Sequence, residues 1–114
     1  MNVAFYMRIK IMFSKKLIYV KVYANHCSNA LLFQSEDTSI QPRDIVIVSL
    51  HGKEIPAMVV QVSRKIKNKD INPEFILRKA GFFERNKLST DVHNRVKNEK
   101  LAWIDEIEYW NAMG

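Results

Sequence analysis

The chain has one cysteine, Cys27, three glycines and three prolines among its 114 residues. A lone cysteine excludes an internal disulfide, and it excludes a zinc site built on cysteine pairs. The simplest compartment for such a chain is a reducing one, so the expected location is cytoplasmic. A Gly-x-x-x-x-Gly-Lys-Ser/Thr phosphate loop is missing, which excludes a P-loop ATPase or helicase motor. Long uncharged runs are missing as well. Arg8 and Lys10 interrupt the apolar N-terminal stretch, whereas a signal peptide places its charges first. No stretch approaches the ~20 apolar residues of a membrane span. There are no internal repeats and no low-complexity tract.

Catalytic chemistry is equally sparse. His26 and Cys27 are neighbours in a turn-like segment, with no third group to orient a nucleophile pair. His26, His51 and His93 have no metal-ligand spacing, and Asp105, Glu106 and Glu108 make no divalent-cation loop. The reading is therefore of a protein that is not an enzyme, with no catalytic residue, no metal and no cofactor.

What is present is a core. Hydrophobic residues make up 47% of the chain, enough for one packed domain that buries roughly two-thirds of its unfolded surface. The net charge is +6, which suits a polyanionic partner but says nothing about fold. The charge is unevenly laid out. Residues 1–62 carry 7 basic and 4 acidic side chains, residues 63–100 carry 11 and 5, and residues 101–114 carry none and 3. A basic middle thus precedes an acidic, aromatic tail.

The first two-thirds of the chain reads as strands. Period-2 alternation marks residues 5–13 and 17–23 as half-buried strands. Asn25, Ser28 and Asn29 supply turn chemistry, and a short apolar run follows at 30–33. After a polar loop containing Pro42, residues 45–50 are β-branched almost throughout, and residues 57–62 return. His51-Gly52-Lys53-Glu54 is the expected turn, in which Gly52 can supply a positive φ. Pro56 cannot donate to a ladder, so it belongs at a strand start or an edge. Such continuous apolar runs suit strands covered on both faces. Beyond them, Asn72, Pro73 and Glu74 predict an N-cap and first turn, with a short helix over 75–80 and Gly81 at C′. Ser89 predicts a second N-cap. Val92, Val96, Trp103, Ile107 and Trp110 then share one helical face, so 91–112 is expected to be an amphipathic helix that can break near Asn98. Arg95 and Glu99 are an i, i+4 pair on it.

The expected fold is α+β: a small SH3-like β-barrel of about five strands over residues 3–70, then a helical extension over 71–114 with a short helix and a C-terminal amphipathic helix. The stretch DIVIVSLHGKEIPAMVVQV, beginning at Asp44, resembles a hairpin of the N-terminal DNA-binding domain of the primosomal helicase PriA. Asp44 takes the family's Asp, and Ile45, Val46, Ile47 and Val48 its first strand. Ser49-Leu50-His51 takes the turn, and Ala57, Val59 and Val62 the return. The resemblance covers about residues 17–62. It departs at Arg43, where the family has Gly, at His51, where it has the turn Gly, and at Leu32. The family's aspartate at that last place helps hold a 3′-terminal nucleotide. The resemblance implies a small barrel and a DNA-facing role.

The favoured function is a non-catalytic nucleic-acid-binding or replication-accessory module, its ligand single-stranded or duplex. Arg64, Lys65, Lys67 and Lys69 follow the hairpin and suit sequence-independent phosphate contacts. Arg78, Lys79, Arg85 and Lys87 extend the patch. Tyr19 and Tyr23 are the aromatics for base stacking; Phe82 and Phe83 are a further pair of the right type, but the favoured reading of these two is core or rim. The alternative is a phage or mobile-element module that inhibits or redirects a host protein. Its partner-binding residues are Trp103, Asp105, Glu106, Glu108, Tyr109 and Trp110, on the tail helix.

Overall fold

A computed structural model describes residues 16–67 and 70–107. The strand expected over 5–13 lies outside the described residues. Five strands, β1 (Ile18–Ala24), β2 (Leu31–Ser35), β3 (Ile45–Leu50), β4 (Lys53–Ser63) and β5 (Arg78–Lys79), run in the spatial order β2-β1-β4-β3-β5 and form a curled antiparallel half-barrel, with two short helices beside it.

β1 (Ile18–Ala24) shows why the curl has a dry interior. Ile18, Val20, Val22 and Ala24 are all fully buried on one face, while Tyr19, Lys21 and Tyr23 alternate onto the other. β2 (Leu31–Ser35) pairs antiparallel on one side of it. β3 (Ile45–Leu50) and β4 (Lys53–Ser63) form the expected hairpin. Its turn is tighter than the sequence reading allows. Only His51 (φ 53°) and Gly52 (φ 77°) lie between the strands, and Lys53 already pairs with Leu50. Two successive positive φ values match the twist of the flanking strands.

β4 is the long central strand. Its first half pairs with β3 and its second half with β1. Lys21 faces Gln61 and Val22 faces Val59, so Val60 is an extra residue in a bulge. The bulge turns Val59 and Val62 together into the inner core, beside Val20, Val46 and Val48. Met58 and Val60 are left facing outward, where a helix covers them. Both faces of β4 are therefore dry, as its unbroken apolar run requires. Pro56 sits opposite Ile47, whose backbone oxygen accepts from Leu77 on the other side. Its missing N–H points past the end of β1, whose pairing stops at Ala57.

The helix expected over 75–80 is not formed. Residues 72–80 run extended along two strand edges. Gln34 N–H donates to the Glu74 carbonyl at 2.9 Å, and Ile76 N–H donates back to the Gln34 carbonyl at 2.8 Å. Buried Gln34 also donates its side-chain amide to Asn72 Oδ1 and to the Pro73 carbonyl, so Asn72 caps nothing. Leu77 and Ala80 then donate to β3, and β5 (Arg78–Lys79) extends the sheet. Local helix signals lost to edge groups that needed partners. Gly81 (φ −79°) is the N-cap of α1 (Phe82–Arg85) rather than a C′ residue.

α2 (Thr90–Lys97) starts at Ser89, whose hydroxyl accepts from Val92 N–H, and ends at Asn98. Val92 and Val96, one turn apart, close over Met58 and Val60. The expected helix over 91–112 thus stops early. β6 (Ala102–Trp103) instead pairs parallel with Gln61 and Val62 of β4, and Ile107 bridges to Ile66. Fully buried Ile107 packs with Leu32 and Ile66. Residues 71–107 are consequently not a helical extension, because β5 and β6 both return to the sheet. No helix among the described residues is long and apolar enough to cross a membrane.

Candidate nucleic-acid interface

The basic stretch after the hairpin and the described part of the acidic tail are neighbours in space. Ile104 N–H donates to the Val62 carbonyl, Ile107 N–H to Lys65 and Lys67 N–H to Ile107, each at 2.9 or 3.0 Å. Ser63 Oγ donates to the Asp105 carbonyl. The Arg64 guanidinium lies 5.9 Å from the Trp103 ring, and the Trp103 indole N–H donates to Gln41 Oε1. A cleft joins Tyr19, Arg64, Lys65 and Lys67 as the sequence reading expects, but Glu106 lines it too. Carboxylates beside these cations weaken their pull on an outside anion. Lys69, Glu108, Tyr109 and Trp110 lie outside the described residues.

Other expected site residues hold structure in place. Tyr23 donates its hydroxyl to Glu99 at 2.8 Å, and Arg95 lies 5.0 Å over its ring. Burial and the Glu99 carboxylate raise the Tyr23 pKa above its ordinary value. Arg95 also donates to the carbonyls of Cys27 and Ser28, so it ties α2 to the β1–β2 turn rather than stabilising its own helix through Glu99. Arg78 makes two parallel bonds to Glu84, at 2.5 and 2.6 Å. These, and Gly81 N–H donating at 2.8 Å, hold the Glu84 carboxyl down at about 2. Lys79 reaches Asp44 at 3.7 Å. Leu32, where the hairpin resemblance expects an aspartate, is buried beside Ile66 and Ile107.

A second concavity has a different character. A groove of about 420 Å³ between α2 and the start of β3 has Ile45, Met58, Val96 and Leu101 in its lining, together with Arg43, Arg85, His93 and Lys97. No carboxylate lines it. Arg43, Arg85 and Lys97 make no ion pair among the described residues. The groove runs on toward Phe82 and Asn86 on one side, still without a carboxylate, and toward Lys79 on another, where Asp44 joins the lining and pairs with Lys79; Ile45 and Arg85 line all three parts. Phe82 and Phe83 beside it are 75% and 80% exposed, so they are neither core nor rim. Their rings meet edge to face at 5.5 Å.

Arg85 and Lys79 of this groove are in the expected patch; Arg43 and Lys97 are not. Arg43 adopts φ 78°, a left-handed conformation that a residue with a Cβ takes at a cost. Its position is fixed from afar. Arg43 N–H donates to the Val59 carbonyl at 2.8 Å, and Val59 N–H donates to the Asp44 carbonyl at 2.9 Å. The Gly-to-Arg departure noted in the hairpin comparison marks this residue in the sequence. Among the described residues no three His, Cys, Asp or Glu side chains group to hold a metal ion. Comparison with family models, curated proteins and solved structures returned no match to this chain.

Proposed function

We propose that this domain is a non-catalytic nucleic-acid-binding module making sequence-independent phosphate contacts. The observation that carries the reading is the main part of the groove, between α2 and β3, which bears Arg43, Arg85 and Lys97 over an apolar floor and has no carboxylate in its lining. Cations with no ion-pair partner among the described residues are free to exchange their counterions for phosphates. The PriA-like hairpin supports the same reading at the level of a DNA-facing barrel, with Arg43, Arg85 and Lys97 as the contacts in place of the family's strand-end aspartate.

Three phosphate contacts give a salt slope of about −2 to −3 in log K against log salt. The test is fluorescence anisotropy with labelled DNA and RNA over a salt series. The double substitution R85E/K97E is expected to lower affinity by about tenfold or more at ~50 mM salt. Neutralising Lys65 and Lys67 together, beside Glu106, is expected to change it by less than about twofold. Undetectable binding at micromolar protein, or equal losses from both variants, would sink this reading.

A further inference from the structure

We infer, resting on the function just proposed, that the groove takes a single strand, with Phe82 and Phe83 as the platform on which unpaired bases stack. Three observations converge on α1. First, none of its residues is buried, so it adds nothing to the core. Second, it is nonetheless anchored: Arg78 grips Glu84 through both oxygens, and Glu84 also takes Gly81 N–H. A short helix with no buried face is thereby held in a fixed orientation. Third, what it presents outward is two phenyl rings, 75% and 80% exposed.

The spacing joins the Phe82 ring to the cations, and Phe83 is held against Phe82. Phe82 and Arg85 are three residues apart, hence on one face of the turn, and both line the groove with His93. A phosphate at Arg85 puts the attached base within reach of an aromatic face. In a duplex each base face is already covered by its neighbours, so stacking on a protein ring is open only to unpaired bases. Every base has such a face, so the platform is blind to sequence and accepts DNA and RNA strands alike. Phosphate contacts alone would treat duplex and single strand similarly; the exposed rings break that equivalence.

The experiment compares three labelled ligands of about 20 nucleotides: single-stranded DNA, the matching RNA and the DNA duplex. Single strands are expected to bind about tenfold tighter than duplex. F82A/F83A is expected to lower single-strand affinity about fivefold or more, with duplex affinity and the salt slope unchanged. Its melting temperature should match that of the parent, since neither ring is buried. Duplex binding equal to or tighter than single-strand binding overturns the inference. An unchanged single-strand affinity in F82A/F83A also overturns it, and assigns the rings to a protein contact. If R85E/K97E still abolishes binding in that case, the groove reading survives its refinement. If the parent protein binds none of the three ligands, the proposed function itself has failed.

Discussion

Arg43, in the loop before β3, and Arg85, the last residue of α1, line one groove. Arg43 does so from a left-handed backbone position, φ 78°. There the Cβ costs roughly 1 kcal/mol. Glycine would relieve this, offset by about 0.5–1 kcal/mol from its extra freedom in the unfolded chain. The substitution R43G is therefore expected to leave the denaturation midpoint level or slightly raised. It should lower affinity for nucleic acid about threefold and make the salt slope shallower by about 0.7. Stability and binding moving in opposite or independent directions is the signature sought. A clear loss of stability in R43G would make the side chain a structural element instead.

The Arg78–Glu84 link predicts a pH effect on α1 alone. The folded Glu84 carboxyl sits at about 2, below its ordinary value of 4.5. A depressed carboxylate contributes stability above its unfolded pKa and loses that contribution as pH falls through the folded value. The link is thus intact above about pH 4.5 and fades toward pH 2. Amide protection in residues 82–87, taken relative to the intrinsic exchange rate at each pH, should fall on acidification through this window, ahead of protection in β4. E84Q should show the same local loss of protection at neutral pH and little further change in acid. Because these side chains are solvent-facing, the global melting temperature should move little.

Arg95 is expected to matter more than its half-buried position suggests. It donates to the carbonyls of Cys27 and Ser28 and covers the Tyr23 ring at 5.0 Å. Removing it leaves two carbonyls without their charged donor and uncovers an aromatic face. R95A should cost about 2 kcal/mol in chemical denaturation. R95K, which has no planar fork, should recover less than half of that. Y23F loses one exposed hydrogen bond to Glu99 and should cost under about 1 kcal/mol. Equal costs for R95A and Y23F would mean that the strap to the turn carries no weight.

How legible this was in the sequence follows the range of the forces involved. The β3–β4 hairpin was readable because β-branched runs and a Gly-containing turn are local chemistry. The start of α2 was readable for the same reason, since Ser89 caps its own helix. Residues 72–80 were misread because Asn72, Pro73 and Glu74 carry real helix-start signals. The competing demand came from Gln34, Ile45 and Ile47, far away in sequence. The tail was misread through coincidence of spacing. Trp103 and Ile107 are four apart like Val92 and Val96, but the chain between the two pairs leaves the helix at Asn98. The groove was half readable: Arg85 fell in a visible basic cluster, whereas Arg43 reaches it only through pairing with Val59. The basic middle and the acidic tail, separate along the chain, are not separate in space, because the described part of the tail lies along the basic stretch.

That placement makes the final prediction. If the tail were a docking element, trimming its side chains would leave the fold intact. Instead Ile107 is fully buried against Leu32 and Ile66, and its backbone bonds Lys65 and Lys67 on either side. I107A removes three buried carbons and leaves a cavity that the flanking parallel pairing resists closing. It should cost about 3 kcal/mol, measured by urea denaturation with an unchanged slope. W103A should cost less, about 1 kcal/mol, because the ring is 38% exposed and its main partners are Gln41 and Arg64. A near-zero cost for I107A would detach the tail from the sheet and return it to the role of a free surface. A large cost places the acidic residues 105 and 106 permanently beside Lys65 and Lys67, and leaves the groove at Arg43, Arg85 and Lys97 as the open cationic face.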